Sequence, residues 1–373
     1  MTERFIGLIS GTSADGIDAA LVTFDPAGRV AEPPVTLTRA YPEPLRRELL
    51  GCMRGDAALP LDTLGQLDQS VGEAFAEAAK ALLGKAGLPA HSIKAIGSHG
   101  QTLFHAPDAA RPHTLQIGDP NRIAACTGIP VIADFRRADM AVGGQGAPLA
   151  PALHAALWRV PQCSRAVVNL GGIANVTTLP ADPGLPVLAY DSGPANCLLD
   201  GWHHRHKAAP VDRDGAWARS GQVIPGLLTA MLKDPYFSRP APKSTGREYF
   251  DSAWLDAHIS AHPDPVRAVD VQATLLKLTV ETVARAIEST AASAAYLCGG
   301  GAHNSTLVET LTQRLPDIRI APSDALGLPA DDVEAVAFAW LAMRHDRGLA
   351  GNLPSVTGAR CEAVLGGRYH PPV

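Results

Sequence analysis

A chain of 373 residues, with 46% hydrophobic and 18% charged residues, is too apolar to be disordered and long enough for two domains or for one large α/β unit with a cleft. The net charge of −5 and a pI near 6.2 exclude the basic footprint of a nucleic-acid-binding protein, and 5% aromatic residues argue against base stacking. No apolar run reaches about 18 residues, so we expect no membrane span.

Cysteine usage and the start of the chain both favour the cytoplasm. The six cysteines are scattered without a C-x-x-C pair, which is typical of reduced thiols rather than of a disulfide framework or a zinc site. A predicted strand begins almost at the first residue, so we expect no signal peptide. Together these features predict a cytoplasmic protein.

The chain begins with a predicted β-hairpin. The apolar stretches Phe5–Ile9 and Ile17–Phe24 read as strands on either side of a loop of small and acidic residues, Ser10–Asp18, with the sequence SGTSADGID. A long helix is predicted over Leu61–Leu83, because apolar residues recur there at spacings of three and four. Further on, IKAIGSHGQT and VIADFRRADMAVGGQGAPL each read as a strand that runs into a loop.

The opening pattern returns in the second half of the chain. Arg165–Leu179 again reads as a strand, a glycine bend and a strand, and AAYLCGGGAHNSTLVETL reads as a strand, three glycines and a helix that begins near Asn304. This repetition predicts a duplicated architecture in which each half presents one hairpin to a shared cleft. The boundary is predicted near Trp158–Ser164, where the pattern is interrupted.

The opening loop matches neither of two common phosphate loops. Gly11 and Gly16 have half of the Walker A spacing, but Ile17 and Asp18 follow where lysine and a hydroxyl residue are required, and no G-x-G-x-x-G occurs. One interpretation is a tight hairpin turn whose glycines supply positive φ. The other is a cradle in which backbone N–H groups and hydroxyls bind phosphate oxygens, while Mg²⁺ near the aspartates replaces the missing lysine.

The second interpretation extends to the other glycine bends. Asp15 and Asp18 are the candidate residues on the magnesium side, acting through water; the alternative is that they bond amides of their own turn. A bend with Gly171, Gly172 and Asn175 would hold the same phosphates from the other side, and the triple-glycine loop suits a nucleoside. The sequence therefore predicts a nucleotide cleft between two related domains.

These motifs, taken in order, also match a known family. The chain resembles the acetate and sugar kinase, heat-shock chaperone and actin superfamily, and within it is similar to the anhydro-N-acetylmuramic acid kinase family. The resemblance covers residues 10–359 and depends on the following stretches: SGTSADGID, GSHGQT, QIGDP, ADFRRADMAVGGQGAPL, NLGGIAN, DSGPANCLLDGW, DRDGAWA, PKSTGRE, DVQATL, CGGGAHN and NLPSVTGA.

The resemblance implies a fold and a reaction. The fold would be α/β, with two related ribonuclease-H-like domains flanking a nucleotide cleft, at 1–160 and 161–373, and with a C-terminal tail that can pack back on the first domain. The reaction would use ATP and Mg²⁺ to open the 1,6-anhydro ring of 1,6-anhydro-N-acetylmuramic acid with water. Phosphorylation of the 6-oxygen would then give N-acetylmuramic acid 6-phosphate and ADP, in peptidoglycan recycling. A homodimer is also implied.

The family's base falls on Asp191 in AYDSGPAN. From the residues alone, this acid ends an apolar strand and precedes a turn into a helix near Ala195, so its carboxylate would be free to deprotonate water. The alternative is a helix N-cap. The ATP-binding residues that the resemblance implies are Gly11, Thr12, Ser13, Ala14, Asp15, Gly16, Ile17, Asp18, Gly171, Gly172, Asn175, Gly299, Gly300 and Gly301.

The sugar-binding candidates lie in GSHGQT, in ADFRRAD and in a later helix. An arginine suits the lactyl carboxylate of the sugar, and the sequence leaves open whether Arg136 or Arg137 provides it. Structural salt bridges are the alternative for the ADFRRAD members, and the helix dipole is the alternative for Glu334. The candidates are His99, Gln101, Asp134, Arg136, Asp139 and Glu334.

Two other functions share this cleft. An ordinary sugar kinase of the same superfamily would phosphorylate a free hydroxyl without opening a ring. A nucleotide-dependent chaperone or filament protein would leave the sugar-loop motifs unexplained. The sequence therefore favours a kinase that acts on a small amino sugar, with no nucleic-acid or membrane partner.

Overall fold

A computed structural model describes residues 1–11, 13–53 and 59–372. Within them, no helix combines the length and the apolar character that crossing a bilayer requires. The strands are β1 Glu3–Ser10, β2 Gly16–Phe24, β3 Val35–Ala40, β4 Ala95–Ala106, β5 His113–Ile117, β6 Val131–Ala133, β7 Arg165–Leu170, β8 Ile173–Leu179, β9 Leu188–Pro194, β10 Ala294–Cys298, β11 Arg319–Pro322 and β12 Gly367–Tyr369.

The helices include those that the sequence predicts, at Leu61–Leu83 and beginning near Ala195 and Asn304. The predicted helix at Leu61–Leu83 is confirmed and ends three residues later. The α-helices are α1 Glu43–Met53, α2 Leu61–Ala86, α3 Pro120–Thr127, α4 Phe135–Ala141, α5 Ala150–Trp158, α6 Asn196–Lys207, α7 Ala216–Arg219, α8 Pro225–Leu232, α9 Pro235–Ser238, α10 Ser252–Ser260, α11 Ala268–Glu288, α12 Ser305–Arg314, α13 Val333–Asp346 and α14 Pro354–Thr357.

The chain divides into two compact units. One contains Met1–Leu157 together with Asp332–Val373, and the other contains Trp158–Asp331. The sequence analysis placed its boundary near 160 and assigned 161–373 to the second domain, with a tail packing back. In the structure the whole segment from 332 onward belongs with the N-terminal unit.

The two units have the same sheet topology. The first sheet has the order β12-β6-β4-β1-β2-β3, with β5 beside β4, and the second has the order β11-β10-β7-β8-β9. In both, a strand pairs antiparallel with its hairpin partner and parallel with a later strand: β1 with β2 and β4, and β7 with β8 and β10. The predicted fold class, two related ribonuclease-H-like α/β units, is confirmed by this repetition.

Two glycines explain why α13 joins the first unit. A Cβ atom at Gly7 of β1 would overlap the Ala335 carbonyl oxygen, and one at Gly97 of β4 would overlap the Phe338 carbonyl oxygen. The helix backbone therefore lies directly against the two central strands. Because α13 is buried at every position from Ala335 to Met343, it forms part of the core of this unit.

Two predicted loops differ in the structure. The segment IKAIGSHGQT was expected to leave its strand, but β4 continues through it to Ala106, because β5 pairs with its second half. The segment after β6 was expected to be a glycine-rich loop throughout, but it first forms the short helix α4. In the first case, pairing with β5 rather than local glycine content determines the conformation.

Candidate active site

The first hairpin connects β1 to β2, as predicted, although its turn is built differently. Ala14, which is buried, has the positive φ of 46°, while Gly11 and Gly16 do not lie in the left-handed region. The Ala14 N–H donates to the Gly11 carbonyl oxygen at 3.1 Å and closes the turn. Gly16 is required for another reason, since a Cβ there would lie 3.0 Å from Thr38. Thr12 lies outside the described residues.

Two side chains donate hydrogen bonds to backbone carbonyl oxygens of this hairpin. Gln101 is fully buried, and its Nε2 donates to the Gly11 carbonyl oxygen at 3.1 Å. Arg46, from α1, donates through Nε to the Ala14 carbonyl oxygen, also at 3.1 Å. Gln101 therefore contacts the phosphate-loop candidate, although the sequence analysis assigned it to the sugar. Arg46 is not among the candidates from the sequence, because no motif around it indicates a contact with the hairpin.

The aspartates of the hairpin suit a hydrated cation. Asp15 is exposed, and the Asp18 Oδ1 atom accepts a hydrogen bond from the Thr38 hydroxyl at 2.7 Å. In the described part of the chain, no cluster of three or more His, Cys, Asp or Glu side chains is arranged to enclose a metal. Carboxylate oxygens of this number and exposure fit Mg²⁺ that keeps most of its water ligands.

The second bend is tight and caps a helix. Gly171 and Gly172 form a two-residue connection between β7 and β8. Their carbonyl oxygens accept hydrogen bonds, each 3.0 Å long, from the first N–H groups around the start of α6. The Arg247 guanidinium packs so closely on Gly172 that a Cβ there would lie 2.6 Å from its Nε. The sequence analysis did not identify this arginine, which places a cation beside the bend.

Asp191 lies inside β9, which corrects the expected position at a strand end. The strand continues to Pro194, and the residue at the N-cap of α6 is Ala195, so the N-cap alternative is wrong. Gly193 pairs with Ala174 and Asp191 with Asn175, which leaves Ser192 as an extra residue of β9. Such a bulge re-aims side chains and is frequent next to active sites.

The carboxylate of Asp191 is held by two donors. Its Oδ1 accepts from the Asn175 side-chain amide at 3.0 Å, and its Oδ2 accepts from the Thr245 backbone N–H at 3.0 Å. The pKa of Asp191 is raised, mainly because the carboxyl group is buried. The two hydrogen bonds lower this pKa in part, and the charge of Glu248 adds to the increase. Asn175, which the resemblance places at ATP, contacts this acid through its side-chain amide.

The segment that contacts Asp191 comes from PKSTGRE, which the sequence analysis used only as part of a family match. The Lys243 carbonyl oxygen accepts from the Asp191 N–H at 2.9 Å, and the Tyr236 hydroxyl donates to the Asp191 carbonyl oxygen at 2.6 Å. This segment and α9 therefore fix both the backbone and the side chain of Asp191. No local pattern signals contacts between residues so far apart in the chain.

The triple-glycine loop has the predicted strand–loop–helix geometry. Gly299 follows β10 with a φ of 76°, and its N–H donates to the Ala330 carbonyl oxygen at 2.8 Å. Gly300 has open space where a Cβ would lie, whereas a Cβ at Gly301 would lie 2.6 Å from Leu170. Asn304 caps α12 by accepting from the Leu307 N–H.

Three of the sugar-binding candidates lie together in the first unit. The Arg136 Nε donates to the His99 Nε2 at 2.8 Å, while the His99 Nδ1 lies 2.9 Å from the Gly100 carbonyl oxygen. His99 is therefore neutral with its proton on Nδ1. Burial, and then the charge of Arg136, lower the pKa of His99 well below its usual value. Burial lowers the pKa of Arg136, and the charges of Glu334 and Asp139 offset part of this effect.

The other members of ADFRRAD have structural contacts. Arg137 is exposed and pairs with Asp134 at 2.5 Å, whereas Arg136 contacts His99. Asp139 is fully buried: its Oδ1 accepts from Asn352 and Thr357, and its Oδ2 accepts from the Gly146 N–H, each at 2.8 Å. Asp139 thus fixes the glycine-rich loop to the C-terminal segment.

Three solved structures resemble the chain at low identity: the activator of 2-hydroxyisocaproyl-CoA dehydratase from Clostridium difficile with bound ADPNP (14% identity, 92% of this chain and 96% of that one, TM-score 0.45), a ROK family glucokinase from Streptomyces griseus in complex with glucose and AMPPNP (14%, 91% and 99%, 0.39), and a ROK hexokinase from Thermus thermophilus (16%, 92% and 100%, 0.37).

The repeated sheet topology with its glycine bends defines an α/β protein with two related units. The model of the anhydro-N-acetylmuramic acid kinase family matches residues 3–371, so the chain belongs to that family. It is a phosphotransferase whose acceptor is an alcohol group of a sugar.

Proposed function

We propose that this protein uses ATP and water to convert 1,6-anhydro-N-acetylmuramic acid into N-acetylmuramic acid 6-phosphate and ADP. The observation that carries the proposal is the Asp191 carboxylate, held by one donor on each oxygen and raised in pKa by burial. A carboxylate of this kind is a suitable general base, because a raised pKa increases its affinity for a proton of water.

The proposed reaction breaks one bond of the anhydro ring and forms two new bonds, one to the water oxygen and one to the γ-phosphoryl group. Asp191 accepts a proton from water as the water oxygen attacks the anomeric carbon, and the bond between that carbon and the 6-oxygen breaks. The electron pair stays on the 6-oxygen, which then takes the γ-phosphoryl group of ATP and releases ADP. Asn175 and Thr245 orient the carboxylate, so that its lone pair is aimed at the water.

The glycine bends are the proposed ATP site. Backbone N–H groups of the Gly11–Asp18 hairpin and of the Gly171–Gly172 bend suit phosphate oxygens, and Gly299–Gly301 suits the nucleoside. Arg247, beside Gly172, supplies a cation that the first hairpin lacks. Asp15 and Asp18 would hold Mg²⁺ through water, and the ion would neutralise phosphate charge when bound.

The proposed sugar site is formed by His99, Arg136 and Glu334, with Asp134 beside them in the chain. Arg136 would bind the lactyl carboxylate, and the neutral His99 orients its guanidinium. Gln101 and Asp139, expected at the sugar, act by positioning: the first holds the hairpin and the second holds the glycine-rich loop. We also propose a cytoplasmic homodimer that serves peptidoglycan recycling.

A coupled assay for ADP release tests this reaction directly. We expect turnover with the anhydro sugar and ATP, and with ¹⁸O-labelled water we expect the label on the anomeric hydroxyl of the product. An ordinary sugar kinase would instead phosphorylate the reducing sugar and leave water unincorporated. That result would reject ring opening while preserving the phosphotransferase assignment.

A further inference from the structure

A cavity of about 260 Å³ lies in the second unit on one side of β9. Tyr190 and Ser192 of β9 line it together with residues after α9 and along α11. Asp191 lies between those two residues in the chain, but its carboxylate is bonded to Asn175 and Thr245. The cavity therefore differs from the proposed catalytic site, and nothing in the proposed reaction uses it.

The described residues that line the cavity include three cations and no carboxylate. The cations are Arg239, Lys243 and Arg285. The Lys243 ammonium donates to the neutral carbonyl oxygens of Tyr236 and Phe237, at 3.1 and 3.2 Å, so these contacts do not offset its charge. Burial, and then the charge of Arg239, lower the pKa of Lys243. Cations gathered without a lining acid favour an anionic ligand.

The other residues that line the cavity indicate what kind of group the anion is attached to. Hydroxyl groups of Ser192, Thr282 and Ser289 are present beside the Phe237 ring and the Ala286 methyl group. The volume is several times the roughly 30 Å³ that one water molecule takes up in the liquid, so the cavity has room for more than a bare oxyanion. A dianionic group joined to a small polar body with an apolar face fits this lining.

We propose that this cavity binds a small phosphomonoester, of which a sugar phosphate is the simplest representative. The arginines would bind the phosphate oxygens, because a guanidinium matches the geometry of a phosphate. The hydroxyl groups and the Phe237 ring would contact the sugar. The cavity residues take no part in the phosphoryl-transfer step itself.

Binding there is linked to Asp191 through the chain segment 241–245. The side chain of Lys243 lines the cavity, and its carbonyl oxygen accepts a hydrogen bond from the Asp191 N–H. Two residues later, the Thr245 N–H holds the Asp191 carboxylate. A ligand that orders Lys243 therefore also orders the two backbone groups that position Asp191.

Isothermal titration with glucose 6-phosphate tests the site, on protein saturated with Mg²⁺ and ADP so that phosphate cannot enter the nucleotide site. We expect saturable binding that Arg285→Ala and Arg239→Ala each weaken about tenfold, the equivalent of one charge-assisted hydrogen bond. Lys233→Ala, which removes an exposed cation of the same unit that does not line the cavity, is the matched control and should bind normally.

Several outcomes would overturn the proposal. They are no binding of glucose 6-phosphate, binding that both arginine variants leave unchanged, and equal weakening by Lys233→Ala. Glucose should not bind, and inorganic phosphate should bind more weakly than the ester; equal affinity for phosphate would reject a phosphomonoester site. Neither arginine is in the proposed active site, and no readout uses turnover, so failure here leaves the proposed kinase reaction untouched.

Hydrogen exchange tests the link to Asp191. With glucose 6-phosphate bound, we expect slower amide exchange in peptides that contain Asp191 and Thr245, and no slowing in Arg285→Ala. Peptides from β10 serve as an internal reference, because they do not line the cavity. Unchanged exchange at Asp191 and Thr245 in the wild-type complex would reject the link.

Discussion

At the scale of single residues, the candidate site depends on side chains that hold one another. Asp191 is bonded to Asn175 and Thr245, and His99 to Arg136. These contacts hold the Asp191 carboxylate and the His99 ring each in one orientation. Three predictions follow from these contacts and from the Arg247 guanidinium.

Asp191→Asn should abolish turnover while ATP binding persists. The amide cannot accept a proton from water, and loss of a general base typically costs about 10²–10⁴ in rate. Turnover and ADP affinity can be measured on the same preparation. Asp317→Asn, at an exposed aspartate of the same unit, is the control and should retain full activity. Full activity of Asp191→Asn would remove this residue from the mechanism.

The pH profile reports the environment of the same acid. A base whose pKa is raised loses activity as pH falls through that pKa, so the acidic limb of kcat/KM should lie above that of an ordinary aspartate. Asn175→Ala removes a hydrogen bond that favours the carboxylate, and should move the limb to still higher pH. A limb that stays in place or moves to lower pH in Asn175→Ala would contradict the assignment.

Arg247→Ala should weaken ATP binding more than it weakens sugar binding. Losing a charge-assisted hydrogen bond to phosphate costs about 1.5–3 kcal/mol, or roughly tenfold or more in KM for ATP. Arg219→Ala offers a control at an exposed arginine elsewhere in the unit, where no change in either KM is expected. Equal increases in both KM values would indicate a general loss of structure.

At the scale of elements, the hairpin between β1 and β2 is held in place by buried groups behind it. Gln101 is the central one, because β4 continues far enough to bring its side chain under Gly11. The sequence predicts a loop here, and the family resemblance separately places Gln101 at the sugar. Its burial shows that strand pairing with β5 decided its place.

Gln101→Ala should therefore raise the KM for ATP and destabilise the protein. The change removes this donor from the Gly11 carbonyl oxygen, which keeps the Ala14 N–H, so we expect a cost of about 0.5–1.5 kcal/mol in the free energy of unfolding. Denaturant unfolding and initial rates measure the two effects. Gln116→Ala on the neighbouring β5 is the control, since the side chain of Gln116 bonds to Thr102 and Thr114 instead. An effect confined to the KM for the sugar would support the original assignment.

At the scale of the whole molecule, α13 is the element through which the C-terminal segment packs into the first unit. Its backbone lies on β1 and β4 where Gly7 and Gly97 leave space. The same segment fixes the glycine-rich loop through Asn352 and Thr357, which donate to Asp139. Stability of the first unit therefore depends on a segment remote from it in sequence.

Gly97→Ala should destabilise the protein strongly. The added methyl group would overlap the Phe338 carbonyl oxygen, and overpacking of this kind typically costs about 1–3 kcal/mol. Gly65→Ala is a matched control on α2, where a Cβ would have open space, and should be neutral or slightly stabilising. Equal unfolding free energies for the two variants would show that α13 does not pack as described.

Patterns along the chain were enough to identify both hairpins, the long helix and the three glycine bends, because hydrophobic periodicity and turn residues act over a few neighbouring positions. They did not show that Asp191 lies within a bulged strand, that Thr245 holds it, or that α13 belongs with the first unit. Those features join groups tens to hundreds of residues apart in the chain. Only the packing of the sheets and helices brings such groups within hydrogen-bonding distance.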